Sequence, residues 1–385
     1  MSRPDPAVTK PLRLTIAQGA FLPVPPRLGG AVEKAWYALG REFARQGHAV
    51  THIGRSFAGL PDRETDAGVT YLRVRGHAAP ARLWQLKLLD LFYTRRVQRV
   101  LPPADILITN TFWLPLLARR PACGRTYVHV ARFPKGQLRF YPRNAVLQTV
   151  SSAIRDAILA EIPDAAARTC VVPYPVSPAY HATPDGEREP VFLYVGRIHP
   201  EKGLHLLVEA YGRAAAAGLR GWKLRLVGPW AAAHGGGGES YRESLARQAA
   251  GAGGEVEFVG PVFAEDELVA HYRRAAVFLY PSLAERGETF GLSVLEAMAA
   301  GCPPVVSDLA CFRDFVRDGD NGLVFDHRTT HAASDLANRL NTLAVDSARR
   351  NRLAIAASTT AQSYTLETVA DRFVASFHAA LSPAR

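Results

Sequence analysis

Short apolar runs alternate along this chain with longer stretches whose apolar positions recur at helical spacing. Leu12–Ala17, Ala49–Ile53, Val191–Val195, Leu224–Val227 and Ala275–Tyr280 read as strands of four to six residues. Val191–Val195 is apolar throughout, as a parallel strand covered on both faces should be. Between the first two strands, Gly29-Gly30 opens a helix that runs to about Gln46 and is closed by Gly47-His48. Further helices are predicted over Ala81–Arg96, from near Phe290 through Glu296, and over 361–381. Strands alternating with helices predict an α/β protein with parallel sheets. The stretch from Pro173 to Pro190, centred on His181–Gly186, reads as a linker. With 385 residues, against a prior of roughly 150 per domain, two domains are expected.

The chemistry collects where predicted strands end. Val191–Val195 leads into Gly196-Arg197-Ile198-His199-Pro200-Glu201-Lys202-Gly203. Gly196 turns the chain, and Arg197 and Lys202 bring two cations to the carboxyl end of a strand, where open α/β sheets bind ligands. Two cations suit a diphosphate whose charge grows as a bond to it breaks. Ala275–Tyr280 leads through a polar loop into Gly287-Glu288-Thr289-Phe290-Gly291-Leu292-Ser293-Val294-Leu295-Glu296-Ala297-Met298-Ala299. A helix start there offers free N–H groups and a positive dipole end to a phosphate, and Gly291 permits close approach. Glu296, about one and a half turns inside, can accept hydrogen bonds from a vicinal diol such as a ribose. Glu288 lies before the helix, where a second sugar would meet it.

These residues resemble the signature of the family 4 glycosyltransferases: two glutamates with seven residues between them, Phe-Gly after the first (Glu288, Phe290, Gly291) and Glu-Ala-Met-Ala at the second (Glu296–Ala299), followed by Gly301-Cys302-Pro303-Pro304. The resemblance implies the GT-B fold, two Rossmann-like domains facing each other across a cleft. It would divide the chain into an acceptor-side domain over 1–180, a nucleotide-sugar domain over 181–360, and a helix in 361–385 packing back on the first. It implies a metal-independent, retaining hexosyltransferase that uses a nucleotide-diphosphate sugar and no cofactor. In that reading Arg197 and Lys202 hold the diphosphate, Glu288 orients the donor sugar and Glu296 anchors the ribose. Gly196, Gly228, Phe290, Gly291 and Leu292 line the donor. Gly29 and Gly30 resemble the family's first glycine loop, which approaches the phosphates. His129, ending a short predicted strand within Thr126–Arg132, is placed against the donor sugar. Base recognition is expected around Val259–Val262.

Charge adds a partner. Residues 1–185 hold 25 Lys and Arg against 12 Asp and Glu, a net +13, whereas 186–385 hold 21 against 23, a net −2. The predicted helix Ala81–Arg96 carries Trp84, Leu88, Leu91 and Phe92 among basic residues. Either it lies on an anionic membrane surface near a lipid-linked acceptor, or it packs its apolar side inward with its arginines in water. No nucleic-acid motif accompanies the basic charge. A glycan or lipid-linked acceptor, in bacterial surface polysaccharide, lipopolysaccharide or glycolipid assembly, is the expected partner of the donor.

Two patterns are expected to be decoys. Asp318-Gly319-Asp320 spells a metal-binding D-x-D, but its context reads as a turn. Gly235–Gly238 lacks the Gly-Lys-Ser/Thr of a P-loop and is either a flap or an inert insertion. Cys123, Cys170, Cys302 and Cys311 form no C-x-x-C pair, no run reaches ~20 apolar residues, and prolines interrupt the first apolar stretch. A cytoplasmic protein, at most peripheral on the inner membrane face, is expected. The competing expectations are a sugar-nucleotide epimerase or hydrolase on the same fold, and a non-catalytic binder of nucleotide sugars or polyanions.

Overall fold

The computed structural model describes residues 10–78, 80, 82–181 and 188–382. They form two compact units, one of Met1–Val150, Ile154–Pro173 and Leu366–Arg385, the other of Ser151–Ala153 and Tyr174–Thr365. Each is an open sheet with helices.

The first unit runs β1 (Arg13–Ala17), α1 (Ala31–Arg45), β2 (Ala49–Arg55), β3 (Arg63–Asp66), β4 (Val69–Val74), α2 (Leu83–Val100), β5 (Ile106–Thr109), α3 (Leu114–Leu117), β6 (Arg125–Val130), β7 (Val146–Thr149), α4 (Ser152–Glu161) and β8 (Thr169–Val171). Its eight strands lie in the order β3-β4-β2-β1-β5-β6-β7-β8, all parallel except the β3–β4 hairpin. Helix α1 ends on Gln46, and Gly47, at φ 91°, turns the chain so that His48 donates to the Phe43 carbonyl.

The second unit runs β9 (Glu189–Val195), α5 (Leu204–Ala216), β10 (Lys223–Val227), α6 (Glu239–Ala250), β11 (Glu255–Gly260), α7 (Glu265–Arg274), β12 (Ala275–Tyr280), α8 (Leu292–Ala299), β13 (Pro304–Ser307), β14 (Leu323–Phe325), α9 (Ala332–Val345) and α10 (Ser347–Ala361). Its six strands, ordered β11-β10-β9-β12-β13-β14, are all parallel. Every residue of β12 is buried, which is why its sequence is apolar without alternation.

The last helix, α11 (Leu366–Leu381), belongs to the first unit. Val369, Ala370, Phe373, Val374 and Phe377 form one helical stripe in the core with Trp36, Phe43 and Tyr127. Phe373 lies 5.0 Å from Trp36, and Phe377 lies 5.0 Å from Tyr127 and 5.7 Å from Phe43. Fully burying each such ring contributes roughly 1.5–3 kcal/mol.

The sequence reading divides the chain at 180/181 and 360/361, whereas the units change over at 173/174 and 365/366. The reason is aromatic: Tyr174 packs edge-on against Phe290 and Tyr180 against Tyr272, so this stretch adheres to the second unit. Of the expected linker, 182–187 lies outside the described residues, as do Ala79 and Ala81 beside α2.

Candidate active site

In the second unit the strand order reverses at β9, whose neighbours are β10 on one side and β12 on the other. Such a switch point leaves a crevice at the carboxyl ends of the two diverging strands. The chain leaves β9 through Gly196 and leaves β12 through Pro281, so the topology brings the two sequence motifs together.

Contacts between the loops fasten them. The Lys202 ammonium donates to Glu288 Oε2 at 2.6 Å, with only 7% and 10% of the two side chains exposed. The ammonium also lies 5.4 Å from the centre of the Tyr280 ring, which stacks on Tyr194. Tyr194 in turn donates its hydroxyl to the Arg197 carbonyl at 2.8 Å. Leu283 N–H donates to the Glu201 carbonyl at 2.8 Å. Gly203, at φ 68°, abuts Pro281 so closely that a Cβ there would overlap the Pro281 carbonyl. Gly228 is as closely pressed on the neighbouring strand, where a Cβ would overlap the carbonyl of Gly196. These glycines are needed for the approach of protein backbone to protein backbone.

Arg197 is the more accessible cation. Its guanidinium donates to Glu201 Oε1 at 2.5 Å and to the Gly235 carbonyl at 2.6 Å. The Gly235–Gly238 run therefore belongs to the site's wall. Gly237 N–H donates to the Ile198 carbonyl at 2.8 Å, which ties the run to the Arg197 loop, and Gly238 N–H donates to the Trp230 carbonyl at 2.7 Å, which closes the run on the segment after β10.

Helix α8 begins at Leu292 rather than near Phe290, because Gly291 takes the N-cap position at φ 87° with Phe312 pressed against it. No side chain caps this helix. Phe290 is buried between Tyr174 and Phe315 and acts as a wedge under the loop. Glu296 is the fifth residue of α8, half-buried, and accepts from the Tyr272 hydroxyl at 3.1 Å.

The first unit holds the other three sequence candidates. His129, 4% exposed in β6, meets Trp36 edge-on at 5.4 Å. Gln148 donates its amide N–H groups to the Thr149 and Val172 carbonyls, which leaves its oxygen to accept from His129 Nδ1–H at 2.6 Å. Burial pushes the His129 pKa down to about 4, so the ring is neutral. Gly29 and Gly30 lead into α1 at φ 78° and 96°. The Glu33 side chain folds back against Gly30, and burial raises its pKa. An internal carboxyl thus packs against this glycine pair.

Sequence reasoning missed Glu201 and Tyr272. Glu201 carried a signal, an acid four residues beyond Arg197. Tyr272 carried none, because only the fold brings α7 to α8. The Asp318-Gly319-Asp320 pattern is a turn: Asp318 accepts from Val324 N–H at 2.8 Å, and Gly319 N–H donates to the Gly322 carbonyl. Among the described residues no cluster of three His, Cys, Asp or Glu is placed to hold a metal ion.

Residues 181–360 match the family described as Glycosyl transferases group 1. The chain carries a group 1 glycosyltransferase domain. D-inositol 3-phosphate glycosyltransferase of Nocardioides sp. (strain ATCC BAA-499 / JS614) is 35% identical over 185 residues, covering 46% of this chain and 39% of that protein. The protein of the same name from Geodermatophilus obscurus is 37% identical over 195 residues, covering 49% and 40%. The matches thus span well under half the length of these relatives. Sucrose-phosphate synthase from Thermosynechococcus elongatus superposes with a TM-score of 0.77 at 21% identity, over 95% of this chain and 99% of that one. HepE from Anabaena, solved with UDP and glucose, superposes at 0.69 and 17%, over 96% and 100%. The glycosyltransferase fold expected from the sequence, GT-B, is the fold of this chain.

Proposed function

We propose that the protein transfers a sugar from a nucleotide-diphosphate donor to an acceptor hydroxyl with retention of configuration. The observation that carries this reading is the nearly dry Lys202–Glu288 pair beside Arg197 at the switch point of a group 1 glycosyltransferase domain. Arg197 and Lys202 are assigned to the leaving diphosphate, whose negative charge rises as the bond to the anomeric carbon breaks. Both cations are held by carboxylates, Glu201 and Glu288, so their heads are already positioned before a ligand arrives. The acceptor oxygen forms the new bond to the anomeric carbon, and its proton leaves with a diphosphate oxygen. Glu288 is assigned to the donor sugar, Glu296 to the ribose, and the backbone from Gly291 to Leu292 and at Gly196 and Gly228 to the phosphates. His129, neutral, is assigned a hydrogen bond to a donor hydroxyl, and Gly29 and Gly30 a place near the phosphates.

The donor class has support in a neighbour of the same fold that was solved with UDP and glucose. For the acceptor two readings stand. A glycan or lipid-linked acceptor in surface polysaccharide or glycolipid assembly on the cytoplasmic membrane face suits the net +13 of residues 1–185. A phosphorylated polyol, as the names of the curated relatives indicate for those proteins, suits the same charge. Incubating the chain with radiolabelled UDP-, GDP- and ADP-sugars, with inositol phosphate and with lipid extract in parallel, separates them. Transfer of label to one acceptor supports the proposal. Free sugar, an isomerised nucleotide sugar, or binding without turnover would instead select the hydrolase, the epimerase or the binder.

A further inference from the structure

Helix α2 presents its apolar row to water. Its buried side is Asp90, Tyr93, Thr94 and Val97, with Asp90 accepting from the backbone N–H groups of Phe112 and Trp113 at 3.0 and 3.3 Å. Trp84, Leu88 and Phe92, at four-residue spacing, therefore lie along one exposed line and are 60%, 44% and 45% exposed. The sequence left open whether this row packs inward, and the structure decides that it does not. Lys87, Arg95 and Arg99 are exposed beside it. The only acidic residue of the helix, Asp90, is the buried one, so the outward face combines three large apolar side chains with three cations and no carboxylate.

We propose that this face seats the first unit on an anionic lipid bilayer, with Trp84, Leu88 and Phe92 entering the headgroup layer and Lys87, Arg95 and Arg99 pairing with lipid phosphates. The occupant is argued from charge. The half of the chain bearing α2 has a net +13, and the outer face of α2 repels no anion. A second copy of this chain would have to press the same cations against each other. Apolar insertion supplies affinity at short range, while cations attract an anionic surface from about a Debye length. The proposal deepens the lipid-linked reading of the acceptor, and neither binding nor its loss requires the transfer chemistry.

The test is co-sedimentation of the full chain with phosphatidylcholine vesicles containing none or about a third phosphatidylglycerol. Binding is expected only to the anionic vesicles. Removal of one cation, Arg95→Ala or Arg99→Ala, should weaken it about fivefold. The double change Trp84→Ala with Phe92→Ala should weaken it roughly tenfold or more. A nucleotide-sugar thermal shift, measured on each variant, should stay as in the parent, which separates loss of docking from misfolding and from failure of the donor assignment. Equal binding to neutral vesicles, unchanged binding by the double variant, or a dimer in solution that the double variant dissolves would each overturn the proposal.

Discussion

Lys202 and Glu288 illustrate how a buried charge pair behaves when half of it is removed. Each is nearly sealed from water and faces the other at 2.6 Å. Lys202→Met or Glu288→Leu alone should cost about 3–5 kcal/mol, measurable by urea denaturation, because the remaining charge stays buried without its partner. The double variant should recover most of that stability and still fail to transfer sugar. A stable double variant with full turnover would show that the pair is architectural. The imidazoles give a second residue-scale expectation. Burial lowers the pKa of His129 to about 4 and of His52 to about 3, below the ordinary value near 6.5. The unfolded chain then binds more protons than the folded one below pH 6.5, so stability falls as pH drops through that range. Each histidine contributes a slope of up to about 1.4 kcal/mol per pH unit, extending down toward its folded pKa. Denaturation midpoints at pH 7 and pH 5 test it, and His129→Gln should flatten the dependence.

At the scale of elements, the site is two strand-to-helix loops pressed together, and glycines set how near they come. Gly228→Ala should destabilise the second unit by roughly 2–4 kcal/mol, because the methyl group would occupy the space of the Gly196 carbonyl. Thermal melting tests this, and an unchanged melting temperature would contradict the close approach. The elements themselves were legible where apolar periodicity was strong. β9 and β12 extend or reproduce the predicted runs, and α1 begins one residue after Gly30. Boundaries shifted where a single contact decides them, as at α8, which Phe312 and Gly291 start two residues later than apolarity suggests. The exposure of Trp84, Leu88 and Phe92 was not legible, because helical spacing identifies a row but not which of two rows faces a neighbour.

For the whole molecule, local motifs pointed to the second unit far better than to the first. The glycine, cation and glutamate spacings lie within continuous stretches, so a linear reading reaches them, and strand order then explains why two stretches some 90 residues apart meet. Tyr272 beneath Glu296 and Gln148 beneath His129 depend on packing between distant segments and leave no spacing to recognise. Net charge was legible as a partition of the chain into a basic and a nearly neutral half, yet the acceptor it attracts was not. The donor assignment is the claim on which the rest depends. Isothermal titration of the full chain with UDP-, GDP- and ADP-glucose, repeated on Glu296→Ala, tests it most directly. One nucleotide sugar should bind, and the variant should lose roughly tenfold in affinity, as expected for removal of a charged hydrogen-bond partner. No heat from any nucleotide sugar, or equal affinity in the variant, would contradict it.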